Sequence, residues 1–161
     1  MKELNPEHIS AVIGLINDSP YFKHLAMVVR ELGNGHSVVE LDMDQRHLNP
    51  FGGIHGGVYS SIIDTAAYWS VYCELEEDAG LISIDVYVNN LRPISEGRLT
   101  VKGRCLKMGR SICLAEAGVS DHKDVILAQG TSKMMVTPHQ QTIETARASS
   151  GFDSLPRKFI D

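Results

Sequence analysis

The chain lacks the features that mark several common classes of protein. Nowhere does an apolar run approach the ~20 residues that a bilayer-spanning helix needs. Basic runs are also missing and the net charge is −5, so a nucleic-acid partner is not favoured. Cysteine is scarce: Cys73, Cys105 and Cys113 are odd in number and form no CxxC, which disfavours a disulfide framework and fits a reducing compartment. They read as small core residues. The first residues, MKELNPEHIS, hold no apolar signal core, so a cytoplasmic protein is expected, in which the sequon Asn17-Asp18-Ser19 carries no weight. Internal repeats and low-complexity linkers are absent too. What is present, 161 residues with 43% apolar and 22% charged, suits one domain with a real core.

Along the chain, residues 5–17 (NPEHISAVIGLIN) read as an amphipathic helix. Asn5 can cap it, Pro6 sits where a missing N–H does no harm, and Ile9, Val12, Ile13 and Ile16 share one face. HLAMVVREL (24–32) and HSVVELDMD (36–44) read as strands joined by the turn Gly33-Asn34-Gly35. In the second, Val39, Leu41 and Met43 alternate with acids, the pattern of a sheet with one wet face. From Val58 to Cys73 the chain has no glycine or proline and is apolar nearly all round, as a buried helix is. Four strand candidates follow, 81–91, 98–109, 111–121 and 125–136, with short separators. The order predicts an α+β domain over 1–137, an antiparallel sheet curled around one long helix. Residues 138–161 are polar and mixed, and predict a mobile tail or a lid on a neighbour.

The junction before the buried helix holds the chemistry. NPFGGIHGG (49–57) places four glycines in nine residues directly ahead of the helix. The first N–H groups of a helix have no internal partner and carry the positive end of its dipole. Gly56 and Gly57 would let another group approach those donors closely, as an oxyanion hole requires. The loop is not a phosphate-binding P-loop, because no Gly-Lys-Ser/Thr follows. Asp64 lies about two turns into the helix. A buried carboxylate is costly unless paired or hydrogen-bonded. Ser60, Ser61, Ala67 and Tyr68, not cations, stand three and four residues away, so its partners come from elsewhere or a cleft reaches it.

NPFGGIHGG with Asp64 nine residues after His55 resembles the hotdog-fold acyl-CoA thioesterases, in the branch with an acid on the central helix. SPYFKHLAM, ISIDVYVNNLRPISEG and LKMGRS extend the likeness over about residues 5–136. The resemblance implies a hotdog fold and hydrolysis of an acyl-CoA thioester. In it, the backbone N–H of Gly57, with Gly56 beside it, matches the oxyanion donor. Asp64 matches the carboxylate that activates water or attacks as a nucleophile. Asn49 matches an amide that holds the water or the carbonyl. His55 matches the His of the His-Gly-Gly signature, which orients the loop or polarises the thioester, and Ser83 matches a hydroxyl that positions the water. Arg92, Lys107, Gly109 and Arg110, with Lys133 a weaker candidate, match the region that meets the phosphates of coenzyme A. The resemblance also implies no metal and no cofactor beyond the coenzyme A of the substrate. It implies a homodimer at least, in the form of a dimer of dimers, with the glycine loop from one chain and the acid from the other. The acyl pocket would then lie against the partner chain, with Tyr59, Tyr68, Trp69 and Tyr87 as candidate linings.

Other readings stay open on the residues alone. His47, His55 and Asp64 are metal-ligand types, but their spacing matches no zinc motif, and His47 reads as a surface residue. Hotdog hydratases and dehydratases carry different His and acid motifs. A non-catalytic acyl-CoA-binding module would have no use for both Asn49 and Asp64. An interaction protein would use the glycine loop as a plain turn.

Overall fold

A computed structural model describes residues 2–160. Helix α1 (Pro6–Asn17) begins as its sequence predicts: the Asn5 side chain accepts the Glu7 N–H and Pro6 opens the first turn. A short helix, α2 (Pro20–Leu25), follows and ends at Ala26, whose φ of 53° turns the chain left-handed. The first long strand, β2 (Met27–Gly33), therefore starts three residues later than the expected one, because His24 and Leu25 belong to α2. Strand β3 (His36–Asp42) returns antiparallel to it through the predicted turn.

The central helix α3 spans Gly56–Tyr72. Strands β4 (Gly80–Asn90), β5 (Arg98–Lys107), β6 (Ile112–Ser120) and β7 (Ile126–Thr137) complete a sheet of six antiparallel strands in the order β2-β3-β5-β6-β7-β4. Val101, Ala115, Ala117 and Ala128 face inward and pack on α3, where Ile62, Ile63, Ala66 and Ala67 are buried. Small residues let the helix come close. At Gly103 an added Cβ would collide with the Ala66 carbonyl and lie 2.6 Å from Ser37 Oγ, so this position admits only glycine.

The final segment corrects the expectation of a mobile tail. Thr142 caps a helix, α4 (Ile143–Ser150), which Gly151 ends at φ 68°. A last strand, β8 (Phe159–Ile160), pairs with β1 (Glu3–Leu4). Between them Lys158 is 1% exposed, and its Nζ donates to the Tyr72 and Leu75 carbonyls at 2.6 and 2.7 Å, closing the C-terminal end of α3. Its ammonium also lies 4.2 Å from the Tyr72 ring centroid. The Tyr72 hydroxyl meets His8 Nε2 at 2.7 Å, and His8 Nδ1 meets the Pro156 carbonyl at 2.6 Å. Among the described residues no helix is long and apolar enough to cross a membrane.

Candidate active site

The glycine loop is built by Asn49. Its Oδ1 accepts the N–H groups of Phe51 and Gly53 at 2.9 and 3.3 Å, and its Nδ2 donates to the Ile54 carbonyl at 3.2 Å. One amide hydrogen of Asn49 is left over. His47 precedes the loop and is not on the surface as expected: it is fully buried, its Nδ1 accepts the Asp44 N–H and its Nε2 donates to the Leu25 carbonyl. Both ring nitrogens are therefore committed to holding the loop's base.

His55 is the N-cap of α3, a place where Ser, Thr, Asp or Asn is usual. Its Nδ1 accepts the Gly57 N–H at 2.8 Å, which leaves Nε2 protonated and facing solvent. The expected oxyanion donor at Gly57 is thus already engaged. The Gly56 N–H, one residue earlier, has no acceptor among the described residues. It borders a cleft of about 240 Å³ lined by Ile54, Gly56, Tyr59, Asn90 and Arg92. A Cβ on Gly56 would stand 2.9 Å from Asn90 Nδ2, so glycine keeps the donor accessible.

Asp64 faces the sheet from the middle of α3 and is half-buried. Ser83 Oγ on β4 and Ser132 Oγ on β7 each lie 3.2 Å from its Oδ1. Ser132 also lies 2.8 Å from the Asp85 carbonyl, and its one hydrogen serves only one of the two acceptors. Burial pushes the Asp64 carboxyl above the usual aspartate range, and the two hydroxyls hold it back only in part. No cation pairs with Asp64 among the described residues. Such a carboxylate, short of counter-charge and with its pKa raised by burial, is suited to taking a proton.

The expected residues thus fall into two sets within one chain. Asn49, His55 and Gly56 gather at the start of α3, and Asp64 and Ser83 gather eight residues further on. At 1.5 Å per residue that is about 12 Å along the axis, too far for one carbonyl to meet both. The coenzyme A candidates divide likewise. Arg92 follows the Asn90 end of β4, where Asn90 pairs with Ala128, and its guanidinium donates to the Ile126 carbonyl. Lys107, Gly109 and Arg110 lie in the β5–β6 hairpin beside the opposite end, where Ser83 and Cys113 both pair with Met134. A Cβ on Gly109 would strike the Ile112 carbonyl, so the tight turn itself requires this glycine. Lys133 is paired with Asp85 at 2.8 Å. Of the aromatic candidates, Tyr59 is core and its hydroxyl donates to the Arg92 carbonyl, while Tyr87 points out of the sheet, 69% exposed. Tyr68 and Trp69 line a cavity beyond Asp64. Sequence reasoning missed Ser132 and Asn90. The signal for Ser132 was a hydroxyl in the inward register of β7, between Gly130 and Met134.

A sheet wrapped around one long buried helix, with a glycine loop at the helix start and an acid two turns in, defines a hotdog-fold protein. A crystal structure of a thioesterase from Haemophilus influenzae superposes with a TM-score of 0.78 at 21% identity, covering 88% of this chain and 98% of that one, a likeness of fold. The sequence profile of the Thioesterase superfamily matches residues 51–128, from the glycine loop through α3 into β7. Proofreading thioesterase EntH of Klebsiella pneumoniae is 26% identical over 113 residues, 70% of this chain and 82% of that protein. Acyl-coenzyme A thioesterase 13 of Mus musculus is 23% identical over 95 residues, 58% of this chain and 67% of that protein. Over residues 51–128, just under half of its length, the chain is similar to the Thioesterase superfamily.

Proposed function

We propose that this protein hydrolyses an acyl-CoA thioester to the free acid and coenzyme A. The observation that carries the reading is Asp64: a half-buried carboxylate with a raised pKa, held by two serine hydroxyls, in a helix whose first free N–H opens onto a cleft. The thioester oxygen accepts the Gly56 N–H and lies on the positive end of the α3 dipole, which favours the negative charge of the tetrahedral intermediate. The His55 Nε2–H is the second donor at that end. Ser83, and Asn49 through its spare amide hydrogen, position the water. Asp64 takes the proton of that water as its oxygen bonds to the carbonyl carbon; the C–S bond then breaks and the proton passes to the departing thiolate. Direct attack by Asp64, giving an acyl anhydride that water opens, uses the same geometry.

The 12 Å between the two sets supports a site that two chains share. Strand β4 is an open edge of the sheet and carries exposed Ile84, Val86 and Tyr87, with exposed Leu91 just past its end, a surface suited to pairing with a second copy. Phe51, 95% exposed at the tip of the glycine loop, is a further contact for a partner. A homodimer therefore brings the Gly56 end of one protomer to the Asp64 end of its partner, and two dimers form the tetramer. Arg92 and the pair Lys107 and Arg110, at opposite ends of one chain, supply cations for the phosphates from different subunits. The test is release of free thiol from acyl-CoA esters by the native protein and by Asp64→Asn.

A further inference from the structure

Beyond Asp64 the protein holds a cavity of about 360 Å³, lined by Tyr68, Trp69, Tyr72, Leu81, Ile143 and Ala146 among others. Two elements lead from the acid into it. Asp64, Tyr68 and Tyr72 recur at i, i+4 and i+8, one stripe of α3, and Leu75 follows just past the helix end. On β4, Leu81 lies two residues from Ser83, on the same face, so the strand that supplies a hydroxyl to Asp64 also supplies the cavity wall. The Tyr68 hydroxyl donates to the Leu81 carbonyl at 2.9 Å and ties the two walls together at the mouth. The roof is α4, which lies outside residues 51–128, the part matched by the family profile. Helix α4 has no buried residue, and Ala146 and Ser149 also border a second cavity of about 530 Å³, which Trp69 lines as well. The segment thus spans open volume instead of filling it, although close packing is the rule in protein interiors.

We propose that this cavity receives the distal end of a straight-chain acyl group and that α4 sets the chain length accepted. The inference rests on the acyl-CoA hydrolase reading and names its substrate class. From Asp64 to Tyr72 the helix rises about 12 Å. An extended chain advances about 1.1–1.2 Å per bond, by analogy with the three bonds of a residue. The stripe therefore accommodates an acyl group of roughly ten carbons. An aromatic acyl group ends near Tyr68 and leaves the cavity empty.

The experiment compares kcat/KM for acetyl-, butyryl-, octanoyl-, decanoyl-, hexadecanoyl- and benzoyl-CoA in the native protein and in Ala146→Phe. Each buried methylene is expected to raise kcat/KM by up to about fourfold as far as roughly ten carbons, with no gain beyond. Ala146→Phe fills the roof, and the decanoyl-to-butyryl ratio falls by about tenfold or more. A flat profile, or an unchanged ratio in the variant, overturns the inference and leaves the hydrolase reading standing. A second arm needs no turnover. Trp69 is the only tryptophan, so its fluorescence in Asp64→Asn reports occupancy of the cavity. Decanoyl-CoA is expected to shift it and acetyl-CoA is not, and the shift is lost in Asp64→Asn with Ala146→Phe. If no ester releases thiol, the hydrolase reading fails, and this arm alone decides the cavity. No Trp69 response to decanoyl-CoA overturns the inference.

Discussion

Replacing Lys158 by Met tests how the C-terminal segment is held. Met keeps most of the side chain's volume but leaves the Leu75 carbonyl, now bonded at 2.7 Å, without its donor, and the Tyr72 carbonyl, now bonded at 2.6 Å, with only the Leu75 N–H at 3.2 Å. The unsatisfied Leu75 carbonyl costs about 1–3 kcal/mol and the lost bond to Tyr72 about 1 kcal/mol, and the lost contact with the Tyr72 ring adds about 1 kcal/mol. Relief comes from no longer burying an ammonium, whose burial pushes the Lys158 pKa from 10.5 down to about 8. That relief is worth about 3 kcal/mol at neutral pH, so the balance is a loss of about 0–2 kcal/mol, or a Tm lower by up to about 8 °C for a chain of this size. The pH dependence gives an independent check. Below pH 8 the lysine is charged in both states, and native stability carries the full desolvation cost. Between about 8 and 10.5 the unfolded chain still holds a proton that the folded one has released, so native stability gains with pH. The neutral amine keeps two N–H groups for the two carbonyls. Met has no such gain, so the deficit of Lys158→Met widens over that range. Thermal unfolding by circular dichroism, for both proteins from pH 7 to 10, reads both effects. A clearly higher Tm in the variant at pH 7, or a deficit that fails to widen between pH 8 and 10, refutes the reasoning.

Three further outcomes follow from the same geometry. Asp64→Asn is expected to raise Tm at pH 7: burial raises this carboxyl's pKa, so its contribution to stability is greatest below 3.8 and is lost as pH rises through the folded value, whereas Asn has no such loss. Equal Tm–pH curves for the two proteins contradict this. Gly103→Ala drives a methyl group into the Ala66 carbonyl and against Ser37 Oγ, so a loss of about 2–3 kcal/mol is expected in denaturant titration, and a silent substitution contradicts the packing. Asp64→Asn and Gly56→Ala, each inactive alone, are expected to recover about a quarter of native turnover when refolded together, because mixed dimers hold one intact site. No recovery contradicts a shared site.

The regular part of this fold was legible because periodicity carries it. The cap at Asn5, the alternation through Val39 and Leu41 and the all-round apolar run after Val58 each point to one element. Asp64 was legible because an acid without a nearby cation stands out in such a run. Less was visible where a single contact decides. The α2 turn reads as strand because Leu25 continues the apolar run of β2 in sequence, and only the left-handed Ala26 separates them. The α4 helix has a readable start at Thr142 and stop at Gly151, but no apolar stripe to attract notice between them. Lys158 is one charge in a polar segment, and nothing local says that it reaches two carbonyls more than eighty residues away. The shift of the free donor from Gly57 to Gly56 depends on an imidazole acting as an N-cap, a role that spacing alone does not reveal.

If Asp64 drives hydrolysis of an acyl-CoA thioester, its carboxylate is indispensable to turnover and not to binding. The most direct measurement follows free-thiol release from a panel of aliphatic and aromatic acyl-CoA esters by the native protein and by Asp64→Asn, with binding of the same esters measured alongside. Turnover by the native protein is expected, with a loss of about a hundredfold or more in kcat for the variant while the ester still binds. Equal turnover by both proteins, or none by the native protein with any ester, contradicts it.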